Sequence, residues 1–575
     1  MGLAQAGTVG SGPMKLLNFS IGQVQTVQIR GQPVRTAYVK SPVPEPWIIT
    51  ADGAQGDERA VHPDKIYAYA RTHYGYWSRY LNIDTGLWPD GYFGENLTFD
   101  ALDEGELRVG DVFALGDEVQ LVVAGPRHPC VKLCWRLNQP ATFQKVFQTS
   151  QHAGVYFGVL RPGRVRPGDV AQLISRDSAM PNLVDVAKFV TDHATPPLEP
   201  LEKVLTCEHL SKTIRFFLQA KVEAAARAAA TAAGRWKGWR DFRIERIVEE
   251  APETRSYYLH PSDGGTLYQP RPGQFVTVQL QSADSQPCTR TWSVSSFSKQ
   301  MDHYRLTVRR LQGVGSNWLH QTHVGATVKL RAPTGQFALE MGSVRPVVLI
   351  AAGIGITPLF AMLQAQVSRG PNAPLVHLIY GVRTPEHVVF RKEIEAIVAA
   401  SSNIKVTYVY SQSAAAGRPA GRITSDLIVA LLDDLHVMLG GRRIDLPWFE
   451  NDTYLCGPGD FCTRIKEELT ARGANPDHVF FELFSSATLE PAGVEAAEVR
   501  FQRSGLAITW RADEDLTLLE LAEQLGIRIE NDCRAGSCLS CRTRVVEGRV
   551  TSDLGDGSGL LCIGRPGTER VTLDC

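Results

Sequence analysis

Four cysteines near the C-terminus, Cys533, Cys538, Cys541 and Cys562, are spaced C-x4-C-x2-C-x20-C. The intervals between the first three, with a fourth thiolate further on, match the loop that holds a [2Fe–2S] cluster. Zinc is the weaker alternative, because its thiolate sites usually pair two short C-x-x-C-like units rather than one lopsided loop. A fifth cysteine, Cys130, stands alone in AGPRHPCVKL (124–133). Taken by itself it reads three ways: a buried small hydrophobe, a nucleophile or a metal ligand. Packing is the commonest fate of a free cysteine.

A second kind of chemistry is written in glycine. AAGIGITP (351–358) follows the apolar run VVLI and opens a helical pattern. Gly353 and Gly355 permit close backbone approach there, and a helix N-terminus favours a pyrophosphate. Alone, this turn serves structure as readily as it binds a nucleotide. It is accompanied, in order, by RTWS (290–293), GVGS (313–316), YGVR (380–383), CGP (456–458) and FFELF (480–484).

The elements that must carry these residues follow from length and periodicity. A chain of 575 residues exceeds what one core organises, so several domains are expected. Hydrophobic content of 43% with 21% charged residues is that of an ordinary water-soluble protein. The net charge of -1 excludes the large basic field that nucleic-acid or membrane-surface binding needs. The longest apolar runs are too short to span a bilayer. No charged start followed by an apolar block marks a secretory leader, so a cytoplasmic location is expected.

Residues 15–178 alternate in short runs broken by Gly, Pro and Asp, which predicts a mostly-β domain. Residues 179–234 change to spacings of three and four, which predicts a small segment of three helices. A β-rich unit at 239–342, a Rossmann-like β/α alternation at 343–486 and a small α+β unit at 497–575 complete the chain. The fold class is therefore multidomain.

The motifs at 239–485 resemble the ferredoxin–NADP reductase superfamily, and flavohaemoglobin-type reductase modules in particular. The resemblance implies a flavin β-barrel followed by an α/β nucleotide domain. Arg290, Thr291, Trp292 and Ser293 would meet the flavin, with Arg290 on its phosphate, Trp292 in the usual tyrosine position and Ser293 near N5. Gly313, Val314, Gly315 and Ser316 would supply amides to the diphosphate. Gly353, Gly355, Thr357 and Pro358 would cradle the nicotinamide dinucleotide, with Arg383 nearby and Cys456 and Gly457 facing the nicotinamide. Glu482 and Phe484 would lie against the flavin. FAD is expected, with FMN, used by the phthalate-dioxygenase-reductase branch, as the alternative; NADH or NADPH would be the donor.

Residues 497–575 resemble a plant-type ferredoxin domain of β-grasp fold, with Cys533, Cys538, Cys541 and Cys562 as cluster ligands. Leu539 stands where that family usually has Gly, and the gap to Cys562 is short. Cys575 falls outside the pattern.

The islands GAQGDERAVHPDKIYAY (53–69), GYFGENLT (91–98) and GPRHPCVKL (125–133) resemble a MOSC domain of the YiiM type, with its three-helix appendage. The resemblance implies a molybdenum cofactor (pterin) with Cys130 as the protein thiolate on the metal and the catalytic residue. Arg127, His128 and Lys132 would hold the anionic pterin phosphate or tune the thiolate. Asn96 and Glu95 would shape the pocket. The family's His-Gly-Gly-Pro-Asp run is two glycines shorter here, at His62, Pro63, Asp64 and Lys65. Cys134 reads as packing.

Together these resemblances imply a self-sufficient reductase: NAD(P)H to flavin to [2Fe–2S] to Mo, with a small N-hydroxylated or N-oxide molecule as substrate. The alternative is an NAD(P)H-dependent reductase serving a separate oxygenase as a redox partner protein. The MOSC half would then be a binding or sulfur-carrier module.

Overall fold

The computed structural model describes residues 13–58, 64–191, 198–231, 235–236, 238–281, 287–311, 314–370, 373–412, 421–439, 442–484, 494–514, 516–527, 529, 536, 539 and 541–575. His62, Pro63, Gly313, Cys533 and Cys538 lie outside the described residues.

The N-terminal strands close on themselves. They run in the order Val170–Ser175, Val112–Leu115, Val119–Pro126, Val155–Arg161, Ile66–Ala70, Leu97–Phe99 and Met14–Gly22. Met14 and Lys15 then pair back onto Ala171 and Val170, which removes the edges. Leu16, Phe99, Leu121 and Phe157 fill the barrel. An outer aromatic cluster of Tyr69, Tyr74, Trp77, Phe93 and Phe147 lies under the helices Arg71–Leu81 and Phe143–Thr149. Burial on both sides explains why IYAYA (66–70) is buried at every position.

The three expected helices are Leu183–Thr191, Leu198–Leu205 and Lys212–Thr231. Leu183, Val186, Leu201, Val204, Ile214 and Leu218 join the barrel's own core, so this segment is continuous with it.

The second barrel has six strands, in the order Pro287–Ser293, Phe275–Gln281, Thr327–Leu330, Arg240–Ala251, Thr254–Pro261 and Tyr304–Arg309. The bridge Val294↔Leu306 closes it. The next domain is a five-stranded parallel sheet, ordered Ile404–Tyr410, Val376–Val382, Val347–Ala352, Asp452–Gly457 and Val479–Leu483. Helices cover both faces, and VVLIAA is correspondingly apolar throughout. Arg305 of the second barrel is buried, pairs with Glu393 of the sheet domain at 2.7 Å and lies 4.4 Å over the Phe390 ring. That contact ties the two domains together.

The C-terminal domain packs the helix Leu518–Gln524 on a five-stranded mixed sheet. Thr517 and Glu520 form a reciprocal capping box that satisfies the orphan amides at the helix start.

The first barrel also reaches the parallel-sheet domain. The hairpin Gln25–Ile29 and Gln32–Thr36 places Ile29 in one apolar cluster with Ile350, Ile428 and Leu455. Val131, the residue after Cys130, belongs to the same cluster. At the hairpin tip the Arg30 guanidinium donates to the Gly473 carbonyl and lies 4.9 Å over the Phe449 ring.

Candidate active site and redox centres

An open cleft lies between the second barrel and the parallel sheet. Thr291, Trp292, Ser293, Ser316, Thr357, Glu482 and Phe484 line it, so RTWS, GVGS, GIGITP and FFELF converge on one space. Arg290 is exposed at its margin, and Gly315 packs on it: a β-carbon at Gly315 would lie 2.7 Å from Arg290 Cγ and 3.4 Å from Trp292 Cη2. The Ser316 hydroxyl donates to the Leu311 carbonyl at 3.0 Å and fixes the start of the helix Val314–Gln321. Ser293 is buried, and its hydroxyl has no hydrogen-bond partner. A buried, unsatisfied hydroxyl facing a cleft is costly unless a ligand completes it. The residues therefore fit a flavin.

The GIGITP turn sits at the carboxyl ends of the parallel strands, where such sheets bind ligands. Gly353 holds φ +57°, a left-handed conformation that suits glycine. Pro358 is buried in the helix Ile356–Ser368, and the Thr357 hydroxyl donates to the Ile354 carbonyl at 3.1 Å. Cys456 and Gly457 end the neighbouring strand, with Cys456 wholly buried. Burial, and then the Glu482 charge, push its thiol well above the usual range, so it stays protonated. Arg383 is exposed beyond the end of its strand.

In the C-terminal domain Cys541 and Cys562 are both buried. The Gly536 amide points at Cys562 Sγ at 3.3 Å, and the Cys562 amide at Cys541 Sγ at 3.4 Å. Amides aimed at sulfur stabilise thiolate charge, which fits an iron–sulfur cluster. Leu539, in the glycine position of the ferredoxin pattern, holds φ +61°.

In the first barrel, Cys130 is half-exposed and stands immediately before the helix Val131–Arg136. Cys134, one turn later, is buried, and burial pushes its thiol up to about 12. The two thiols of this turn are thus sorted into one that can meet a ligand and one that packs. Arg127 is buried and close enough to Cys130 for their charges to couple. Its guanidinium lies 4.9, 5.5 and 5.9 Å over the rings of Tyr67, Tyr156 and Tyr38, and it donates to the Tyr156 hydroxyl. Burial lowers His128 to about 4, which keeps it neutral. Lys40 forms a buried pair with Asp57 at 3.0 Å. A half-buried thiol beside the buried Arg127 guanidinium fits an anionic, thiolate-ligated cofactor.

Two island residues have structural duties. Asn96 accepts from the Tyr67 amide and donates to the Ser20 carbonyl, both at 3.2 Å, and so joins two strands. Glu95 accepts from the Tyr74 hydroxyl and from the Gly91 amide. Lys65 donates to the Ala51 carbonyl at 2.6 Å. Sequence reasoning missed the tyrosine cage and Lys40–Asp57. The cage draws on Tyr38, Tyr67 and Tyr156, far apart in the chain, and neither it nor the ion pair left a signal in the sequence.

Family models match the chain in four consecutive places: a MOSC domain at 55–172, an oxidoreductase FAD-binding domain at 242–339, an oxidoreductase NAD-binding domain at 349–467 and a 2Fe-2S iron-sulfur cluster binding domain at 501–566. The chain is a MOSC domain joined to an oxidoreductase module.

Among curated relatives, a flavohemoprotein of Xylella fastidiosa is 32% identical over 45% of this chain and 62% of its own length. The chain thus spans about three fifths of the flavohemoproteins it matches. The glycine betaine monooxygenase reductase subunit of Chromohalobacter salexigens is 26% identical over 57% of this chain and 94% of its own length. Among solved structures, phthalate dioxygenase reductase is 22% identical, with a TM-score of 0.43 over 59% of this chain and 98% of that one. Among the described residues of the MOSC–oxidoreductase chain, no helix is long and apolar enough to cross a membrane.

Proposed function

We propose that the chain is a self-contained NAD(P)H-dependent reductase whose oxidoreductase module feeds a molybdenum centre held by Cys130. The observation that carries this reading is the sorting of Cys130 from Cys134 beside the caged Arg127. One thiol is accessible, one is not, and a buried guanidinium lies close to the accessible one.

Bound flavin would accept a hydride and release electrons singly, a [2Fe–2S] cluster would carry them one at a time, and molybdenum would take oxygen from substrate. The chain's own residues position these groups. Ser293 offers its unsatisfied hydroxyl to the flavin, and Gly355 lets the nucleotide helix start hard against Cys456. Gly536 and Cys562 aim amides at sulfur. Arg127 supplies positive charge in the MOSC barrel near Cys130, which would hold the metal.

The substrate class is N-hydroxylated or N-oxide compounds. For a hydroxylamine, R–NHOH + NAD(P)H + H⁺ gives R–NH₂ + NAD(P)⁺ + H₂O: the N–O bond breaks and the oxygen leaves as water. The location is cytoplasmic in this reading. The test is metal analysis of protein from a cofactor-competent host together with NAD(P)H oxidation against a panel of hydroxylamines, amidoximes and N-oxides. Stoichiometric molybdenum and substrate-dependent oxidation are expected. Absence of both would overturn the reading.

A second reading has one specific support. The glycine betaine monooxygenase reductase subunit aligns over nearly its whole length with this chain's C-terminal part. In that reading the module serves a separate oxygenase, and electron delivery is indifferent to Cys130.

A further inference from the structure

Away from Cys130, three side chains of the MOSC barrel converge that none of the chemistry above uses. His73 projects from the helix Arg71–Leu81, Glu104 comes from the turn before the strand Val112–Leu115, and His152 from the loop before Val155–Arg161. One donor atom from each lies within 4.8 Å of the other two, the one such group among the described residues. We propose that His73, Glu104 and His152 bind a divalent first-row cation, with zinc as the fitting ion.

Unsatisfied valence argues for this over a plain hydrogen-bonded pair. His73 Nε2 and Glu104 Oε1 lie 3.0 Å apart, and the Gly154 amide donates to the same oxygen at 2.7 Å. That leaves Glu104 Oε2 buried with no hydrogen bond, and His152 Nδ1 likewise. Glu104 is 3% exposed and His73 2%. A buried carboxylate oxygen and a buried imidazole nitrogen in one cluster, neither of them hydrogen-bonded, are donors that a cation would satisfy. Two imidazoles and one carboxylate form a zinc donor set that keeps a fourth position for water. Tetrahedral zinc brings its donors to about 3.4 Å from one another, so swings of about an ångström close the site.

The surroundings hold the ligands in place, as outer partners of metal sites do. The His152 carbonyl accepts from the Tyr69 hydroxyl at 3.0 Å and the Trp77 indole at 3.1 Å, and the His152 ring lies 3.9 Å from that of Tyr76. The cation would brace the 152–154 loop, whose Gly154 carbonyl accepts from the Arg127 amide at 3.1 Å.

The experiment uses the full chain with flavin and cluster loaded, equilibrated with buffered zinc and then dialysed. Zinc is counted by mass spectrometry in the native protein, in His152→Ala and in His73→Gln, at matched iron content. His152→Ala leaves the His73–Glu104 pair intact, so it decides the matter even if His73→Gln folds poorly. One zinc per chain, lost in the variants, is expected, with a zinc-dependent rise in Tm in the native protein only. Equal zinc content and equal Tm response in native protein and His152→Ala would overturn the proposal.

Discussion

Gly355 packs so closely on Cys456 that a β-carbon there would lie 2.1 Å from the Cys456 carbonyl oxygen. The contact sets the start of the nucleotide helix against the end of the neighbouring strand. Since the obstacle is backbone on a central strand, it cannot move aside. Gly355→Ala should cost roughly 3 kcal/mol of stability and slow flavin reduction by NAD(P)H. Thermal melts and stopped-flow absorbance check both, and unchanged flavin reduction in a folded variant would count against this geometry.

Leu539 makes the opposite prediction. It is the ferredoxin-pattern glycine position, it holds φ +61°, and it is exposed. A left-handed leucine is strained and buries little in compensation. Leu539→Gly should stabilise the cluster domain by about 1 kcal/mol. Cluster loss in denaturant, followed by visible absorbance, should shift to higher concentration; an earlier loss would show that Leu539 is retained for its contacts.

His377 gives the pH dependence. It is buried in the central sheet beside Thr407, and burial, then Lys405, lower it to about 4. The folded state therefore binds its proton less readily than the unfolded state. The associated stability is complete above the unfolded pKa of about 6.5 and is lost as pH falls towards 4, up to about 3 kcal/mol in all. Thermal melts of native protein and His377→Gln between pH 7 and 4.5 should converge as pH falls. Parallel curves would contradict this assignment.

The legible parts of this molecule were those whose chemistry is local in sequence. Cysteine spacing fixes a cluster loop, and GIGITP places glycines where a helix must start against a strand. The strand VVLIAA is apolar throughout, and LVHLIYG apart from His377, because both faces are covered. The illegible parts were assembled across the barrel. Lys40 meets Asp57, Arg127 enters a cage from three strands or loops, and His73 meets Glu104 and His152, with no spacing that announces them. The helix Arg71–Leu81 was hidden as well: it carries Gly75 and presents aromatic residues rather than an aliphatic stripe.

The most direct test of the account compares Cys130→Ala with Cys134→Ala, measuring NAD(P)H oxidation driven by a hydroxylamine and by ferricyanide in the same preparations. Cys130→Ala should lose the hydroxylamine-driven rate by at least about a hundredfold, since removing even the outer partners of a metal's ligands costs about 10–100-fold, while ferricyanide reduction is unchanged. Cys134→Ala should keep both, with some loss of stability. Full hydroxylamine-driven activity in Cys130→Ala would contradict the account and leave the MOSC domain without a part in the chemistry.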